Sequence, residues 1–292
     1  MTKKQEVEYN LVGGAVRDLF IPNQTVVSTS DFDVLVVGSD YKELLYYLIA
    51  QSNVQIFVPE ARYINLILAD SFTSDLFDRD NANWNSYKTG VIKCKVNGKD
   101  KVDYALARKE CDNDYTNNSV VPEGVIINSS VTLLEDLSRR DFTQNSMVLP
   151  LNNPINLFSY NIKELYDPFN GLKDISNKVI NTVGKPMDRF IADPTRVLRL
   201  IKFMLRFGFE ASIEIKTALD NSLNKEQIEQ LINSYKLKIN NDRTGQELKH
   251  IFNSTHNVYE AISLMYNLLP KELLNVIFND NVYLQPTVIH NK

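Results

Sequence analysis

An Asp-x-Asp pair, Asp31 and Asp33, heads the apolar run VLVV, and a Gly-Gly-x-x-Arg-Asp (Gly13, Gly14, Arg17, Asp18) precedes it. Residues i and i+2 of a strand project from the same face, so both carboxylates reach one point if 31–37 is a strand. Such a pair suits a hard cation such as Mg²⁺, whose remaining ligands are phosphate oxygens and water. Glycines let backbone N–H groups approach an anion closely, and a helix N-terminus favours negative charge. The spacing therefore predicts a metal site at Asp31 and Asp33 beside a triphosphate site. Asp-x-Asp by itself is often a solvated strand edge, and the preceding glycine turn is what sharpens the reading. Arg17 suits phosphate or an ion pair with Asp18. Asp103 is a candidate third carboxylate, with a salt bridge to Lys101 or Arg108 as the alternative.

Two further groups carry arginines. LSRRDFTQNSMVL (137–149) is either a helix C-terminus with favourable basic residues leading into a strand, or a site where Arg140 meets a nucleotide. In DPTRVLRLIKFMLRFGF (193–209), Asp193-Pro194 predicts a helix start with Asp as N-cap and Pro at the first position. Arg196 and Arg199, three apart, form a basic face or a fork that recognises a base edge or phosphate.

The elements that position these groups follow from period and punctuation. Residues 9–20 read as strand, Gly-Gly turn and helix, 31–37 as a buried strand and 41–51 as a helix. Residues 62–68 and 90–108 carry strand-like runs, with a polar loop over 70–88 between them. Residues 109–128, with CDNDYTNNS, read as a loop. Thr132-x-x-Glu135 is a capping box. Helical periodicity then covers 194–207, 211–223, 225–235, 242–253 and 258–268. The chain reads as an α/β part followed by an all-helical part.

Bulk properties bound the rest. With 292 residues, 43% hydrophobic and 23% charged, the chain suits one large or two modest globular domains. No apolar run approaches a membrane helix, MTKKQEVEYN lacks a secretory signal, and two cysteines exclude a disulfide framework. A cytoplasmic protein without a membrane partner is expected. The net charge of −4 argues against nonspecific nucleic-acid binding by the whole molecule, but not against a local basic groove.

Taken in order, GGAVRD (13–18), DFD (31–33), DYALARKE (103–110), LEDLSRRDFTQNS (134–146), YDPFNGLKD (166–174), DPTRVLRLIKFMLRFGF (193–209) and DRTGQEL (242–248) resemble the motifs of class II tRNA nucleotidyltransferases and the related bacterial poly(A) polymerases. The resemblance implies an α+β fold with a polymerase-β-like nucleotidyltransferase head (1–140), a helical nucleotide-selecting neck (141–253) and a reduced helical body or tail (254–292). It implies that Asp31 and Asp33 hold Mg²⁺, with Asp103 beside them in catalysis. Gly13, Gly14, Arg17 and Asp18 would serve the nucleotide's phosphates, and Arg140 the nucleotide and its ribose. Asp193, Arg196 and Arg199 would read the base of CTP or ATP, and the tRNA 3′ end would be the acceptor for CCA addition. A-only, CC-only or poly(A) addition, or an idle RNA-binding module, are the alternatives. The family's Glu before the templating Asp is Ala192 here, its RRDFTxNA alanine is Ser146, and Asp242 replaces a Glu.

Overall fold

The first strand, β1 (Glu8–Val12), runs into Gly13 and a one-turn helix, α1 (Gly14–Arg17). A computed structural model describes residues 6–21, 31–73, 81–110, 125–255 and 257–278. Then follow β2 (Asp31–Val37), α2 (Tyr41–Ile49), β3 (Val54–Val58), α3 (Ala61–Leu68), α4 (Ala82–Thr89), β4 (Val91–Val96), β5 (Asp100–Leu106), β6 (Arg108–Glu110), β7 (Val125–Ile127), α5 (Leu133–Ser138) and β8 (Val148–Pro150). The main sheet has the order β3-β4-β5-β2-β1-β8 and is mixed: β2 and β5 run parallel and the other pairs antiparallel.

Period-2 alternation explains both sheet faces. Phe32, Val34, Val36, Ile92, Cys94, Val96, Val102, Tyr104 and Leu106 are all buried. On the opposite face, Val12, Leu35, Val37 and Ala107 pack with Val131, Leu137 and Val148. Asp31, Asp33, Lys101 and Lys95 lie beyond that cover and are exposed. The capping box is present: Thr132 Oγ1 accepts from Glu135 N at 3.2 Å, and Glu135 Oε2 accepts from Thr132 N at 2.8 Å. These bonds and Lys109 pull the Glu135 carboxyl down to about 2.

Three local expectations are corrected. Residues 62–68 are helix, not strand. Ile67 is buried and Tyr63, Ile64, Leu66 and Leu68 are half-buried, and the helical stripe at 63, 64, 67 and 68 was hidden in a short, mostly apolar run that suits a strand equally. The polar stretch before Gly90 holds α4, whose N-cap Asn81 accepts from Asn83 N and Trp84 N and whose end is Gly90 in the left-handed region. Its few apolar side chains suffice because Trp84 and Tyr87 close around Phe72. The ends of the expected 109–128 loop pair as the β6–β7 hairpin, and 111–124 lie outside the described residues.

Contacts divide the chain into two units, Met1–Arg140 with Gln144–Leu172, and Asp141–Thr143 with Lys173–Lys292. Residues 144–172 thus join the first unit rather than the neck expected from 141, because β8 pairs with β1 and Val148 bridges Tyr166. The second unit contains α6 (Gly171–Ser176), β9 (Val179–Ile180), α7 (Pro186–Ala192), α8 (Thr195–Phe207), β10 (Glu210–Ala211), α9 (Ile213–Ala218), α10 (Lys225–Lys238), α11 (Asn241–Phe252), α12 (Val258–Leu268) and α13 (Lys271–Ile277). The helices beyond residue 253 pack on the earlier ones, α12 on α8 and α13 on α10. No described helix is long and apolar enough to cross a membrane.

Candidate active site

Adjacent strands bring the carboxylates together. The parallel β2–β5 register sets Asp33 opposite Asp103 and Asp31 opposite Lys101, so Asp31, Asp33 and Asp103 share one sheet face. Asp103 pairs with Lys93, opposite it on β4, not with the expected Lys101 or Arg108. Lys93 is invisible as a site residue in the sequence because only strand pairing brings it there. The Asp33 carboxyl, though open to water, is ringed by protein. That desolvation, then the charge of Asp103, raises it above the ordinary range, and Asp31 adds to this while Arg140 and Lys93 oppose it.

Gly13 adjoins this group. Its φ of 67° and ψ of −134° suit glycine alone, and a Cβ there would lie 3.3 Å from Asp33 Oδ2. The expected turn–helix follows, with α1 opening at Gly14. Arg17 and Asp18 are buried at 5% and 4% exposure and form an ion pair of 2.7 Å. Arg17 Nη1 also donates to Asn145 Oδ1 at 2.8 Å. This realises the structural alternative for Arg17, which braces the glycine turn from behind.

Arg140 is held as a fork. Its Nε and Nη2 donate to Asp136 Oδ2 at 3.1 and 3.0 Å, and its Nη1 donates to the Asn145 carbonyl at 3.1 Å. Asp136, fully buried, also accepts from Arg139 Nη2 at 2.6 Å and from Arg108 N at 3.1 Å. Burial works against its charge, but Arg140, Arg139 and these hydrogen bonds outweigh it and hold the carboxyl below the usual range. The surroundings lower Arg108 to about 10, through burial first and then Arg139. Asp136 was missed as a site residue, although Asp136-x-x-Arg139-Arg140 on a helix is an i, i+3, i+4 pattern.

In the second unit, the chain turns between α7 and α8. Helix α8 begins at Thr195, one residue later than expected, with Pro194 already helical at the cap position. Asp193 still caps: its Oδ1 accepts from Thr195 N at 3.1 Å and Thr195 Oγ1 at 2.6 Å. Arg243 Nη2 lies 3.6 Å from Asp193 Oδ2 and donates to Thr195 Oγ1 at 3.2 Å. Arg196 Nη1 donates to the Arg189 carbonyl at 3.3 Å. The end of α7, with Ala192, is tied down by Lys238 Nζ, which donates to the Ile191 and Ala192 carbonyls at 3.1 Å each. Arg199 is 2.5 Å from Asp141, an ion pair inside this unit. Arg243 and Lys238 were missed as site residues because their partners lie some 50 positions away.

The donor set at Asp31 and Asp33 fits a hard divalent cation. The side chains are exposed, two residues apart on one strand, and crowded by like charge that a cation relieves. Among the described residues no cluster of three or more His, Cys, Asp or Glu is built to hold a metal alone, so phosphate oxygens or water would complete the shell.

Comparison with known proteins agrees with this geometry. The poly A polymerase head domain family model matches residues 9–181. A CCA-adding enzyme of Staphylococcus epidermidis is 31% identical over 136 residues, 47% of this chain and 29% of that protein. An A-adding tRNA nucleotidyltransferase of Aquifex aeolicus is 35% identical over 159 residues, 53% of this chain and 17% of that one. The chain thus spans under a third of either relative. The structure resembles that of the Bacillus stearothermophilus CCA-adding enzyme in complex with CTP, with a TM-score of 0.56 and 19% identity over 94% of this chain and 50% of that one, a likeness of fold. The sheet, the paired carboxylates, the glycine turn and the family match over more than half its length place this chain in the poly A polymerase head domain family, whose relatives include class II tRNA nucleotidyltransferases.

Proposed function

We propose that the protein is a Mg²⁺-dependent, template-independent tRNA nucleotidyltransferase that adds CMP and AMP, from CTP and ATP, to tRNA 3′ ends. One observation carries this: Asp31, Asp33 and Asp103 share a sheet face beside the Gly13–Gly14 turn. In the reaction the RNA 3′-hydroxyl attacks the α-phosphorus, and the bond to the leaving pyrophosphate breaks in line. Mg²⁺ bound at Asp31 and Asp33 would supply Lewis-acid charge neutralisation. The N–H groups around Gly13 and Gly14 hold the phosphates, braced by the Arg17–Asp18 pair. Arg140, locked by Asp136, donates to the nucleotide from a fixed direction. Such preorganised donors cost no reorganisation during reaction. Asp193 accepts from the base's exocyclic amine and Arg196 donates to its ring edge. Thr195 and Arg243 orient Asp193, and Arg199, paired with Asp141, supports α8, which carries Thr195 and Arg196.

The test is extension of tRNAs ending before CCA, after its first C and after its second C, with each NTP separately and together. Addition of C, C and A in turn is expected, and long tails from ATP alone would exclude the reading. Exchanging Asp31 and Asp33 for Ala should abolish transfer with the fold retained; persistence of transfer would exclude the metal assignment. One observation favours narrower or looser scope, whether A-only, CC-only or poly(A) addition. Ala192 stands where the resembled family has a Glu beside the base-reading Asp193 and Arg196.

A further inference from the structure

The face that carries the carboxylates continues across β5, β4 and β3. In one row Asp31 stands opposite Lys101, Lys101 opposite Lys95, and Lys95 opposite Gln55. Cross-strand partners share a face and strands lie about 5 Å apart, so the two lysines stand roughly 5 and 10 Å from Asp31 along the ladder. Lys101 is 61% exposed, with its ammonium 3.8 Å from Asp31 Oδ1, and Lys95 is exposed. In the adjoining row Asp33, Asp103, Lys93 and Val58 follow one another. A bulge between Ile56 and Val58 sets Phe57 beside Val58 opposite Lys93, and Phe57 is 42% exposed. Beside the three aspartates this face thus presents exposed Lys95 and Lys101 and an open aromatic ring, Lys93 being paired with Asp103. Ammonium groups for phosphates and a ring for a base are what single-stranded nucleic acid requires.

Strand order gives the direction. In β4-β5-β2-β1, the glycine turn follows β1 on one side of Asp31 and Asp33, and the lysines lie on the other. In-line transfer needs this separation, with the leaving phosphates on one side and the attacking hydroxyl on the other. We infer that Lys101, Lys95 and Phe57 form the track along which the 3′-terminal single-stranded nucleotides of the RNA run toward Asp31 and Asp33. The inference rests on the proposed RNA-tailing function.

The test is binding of a fluorescent tRNA lacking CCA to the full chain, by anisotropy at 50–200 mM salt, without nucleotide. Each single-strand phosphate contact contributes about 0.7 to the logarithmic salt slope. For K95Q/K101Q the slope should therefore fall by about 1.4, and over this fourfold salt range wild type should lose about sevenfold more affinity than the variant. F57A should bind about fivefold more weakly, at the low end of base stacking on an aromatic ring, and F57W should restore binding; Trp84 fluorescence reports that the fold is kept. An unchanged slope and affinity overturns the track. A rise in KM for CTP with unchanged RNA affinity also overturns it, by giving the lysines to the nucleotide. Because binding needs no turnover, the two readings separate. Loss of RNA affinity in K95Q/K101Q of a chain that transfers nothing would sink the proposed function and keep the track. Transfer by wild type with wild-type binding by the variant would sink the track alone.

Discussion

Replacing Asp136 by Asn tests the electrostatic hub most directly. The change keeps shape but removes the charge that Arg139 and Arg140 share, and turns an amide N–H₂ toward guanidinium donors. Asp136 is fully buried, while the arginines keep 18% and 17% of their side chains exposed. Breaking a buried pair costs about 3–5 kcal/mol, and since water reaches the arginines the lower end applies, about 3 kcal/mol. At ~2–4 °C per kcal/mol for a unit of this size, melting should fall by about 6–12 °C. Trp84, the only tryptophan, is 7% exposed and lies in the same unit, so urea unfolding followed by its fluorescence reads the loss. The pH dependence has a definite sign. The Asp136 carboxyl is held below its unfolded value, so its contribution is present above about pH 4 and disappears as pH falls through the depressed folded value. Wild type and D136N should converge in acid. Transfer should also drop about tenfold or more as Arg140 loosens. A stability loss under about 1 kcal/mol at pH 7, or a gap that persists unchanged in acid, would refute the hub.

Other changes probe the remaining parts. Gly13→Ala forces a side chain into a glycine conformation and against Asp33 Oδ2; it should cost about 1–3 kcal/mol in urea unfolding and reduce transfer sharply. In Mg²⁺-free buffer, Asp33→Asn should be more stable than wild type at pH 7, because the raised carboxyl disfavours the ionised fold. That advantage should vanish below about pH 4, as a thermal scan across pH would show. Arg243→Ala removes a half-exposed partner of Asp193, so stability should change by less than about 1 kcal/mol, while the ratio of CMP to AMP incorporation shifts in a competition assay.

Much of the fold was legible because local signals agreed with it. The alternation in 31–37, the Thr132–Glu135 capping box and the helical periods from 194 onward each describe a face that must be buried or a terminus that must be satisfied. Helix α4 was not legible, since its stability comes from Trp84 and Tyr87 closing on Phe72, contacts without a period. Helix α3 reads as a strand in the sequence because a short, mostly apolar run supports either state until its neighbours choose.

By themselves, the residues established that Asp31 and Asp33 share a face and that a glycine turn stands nearby in the chain. Both follow from bond geometry over a few residues. Only the tertiary structure decided that Asp103 answers to Lys93, that Arg17 also reaches Asn145, that Asp136 takes the Arg108 amide as well as its helical neighbours, and that Asp193 is steered by Arg243. Ion pairs between distant positions are selected by strand register and helix docking. These depend on burial of the whole apolar surface, so the charged partners carry no signal of their own in the linear chain.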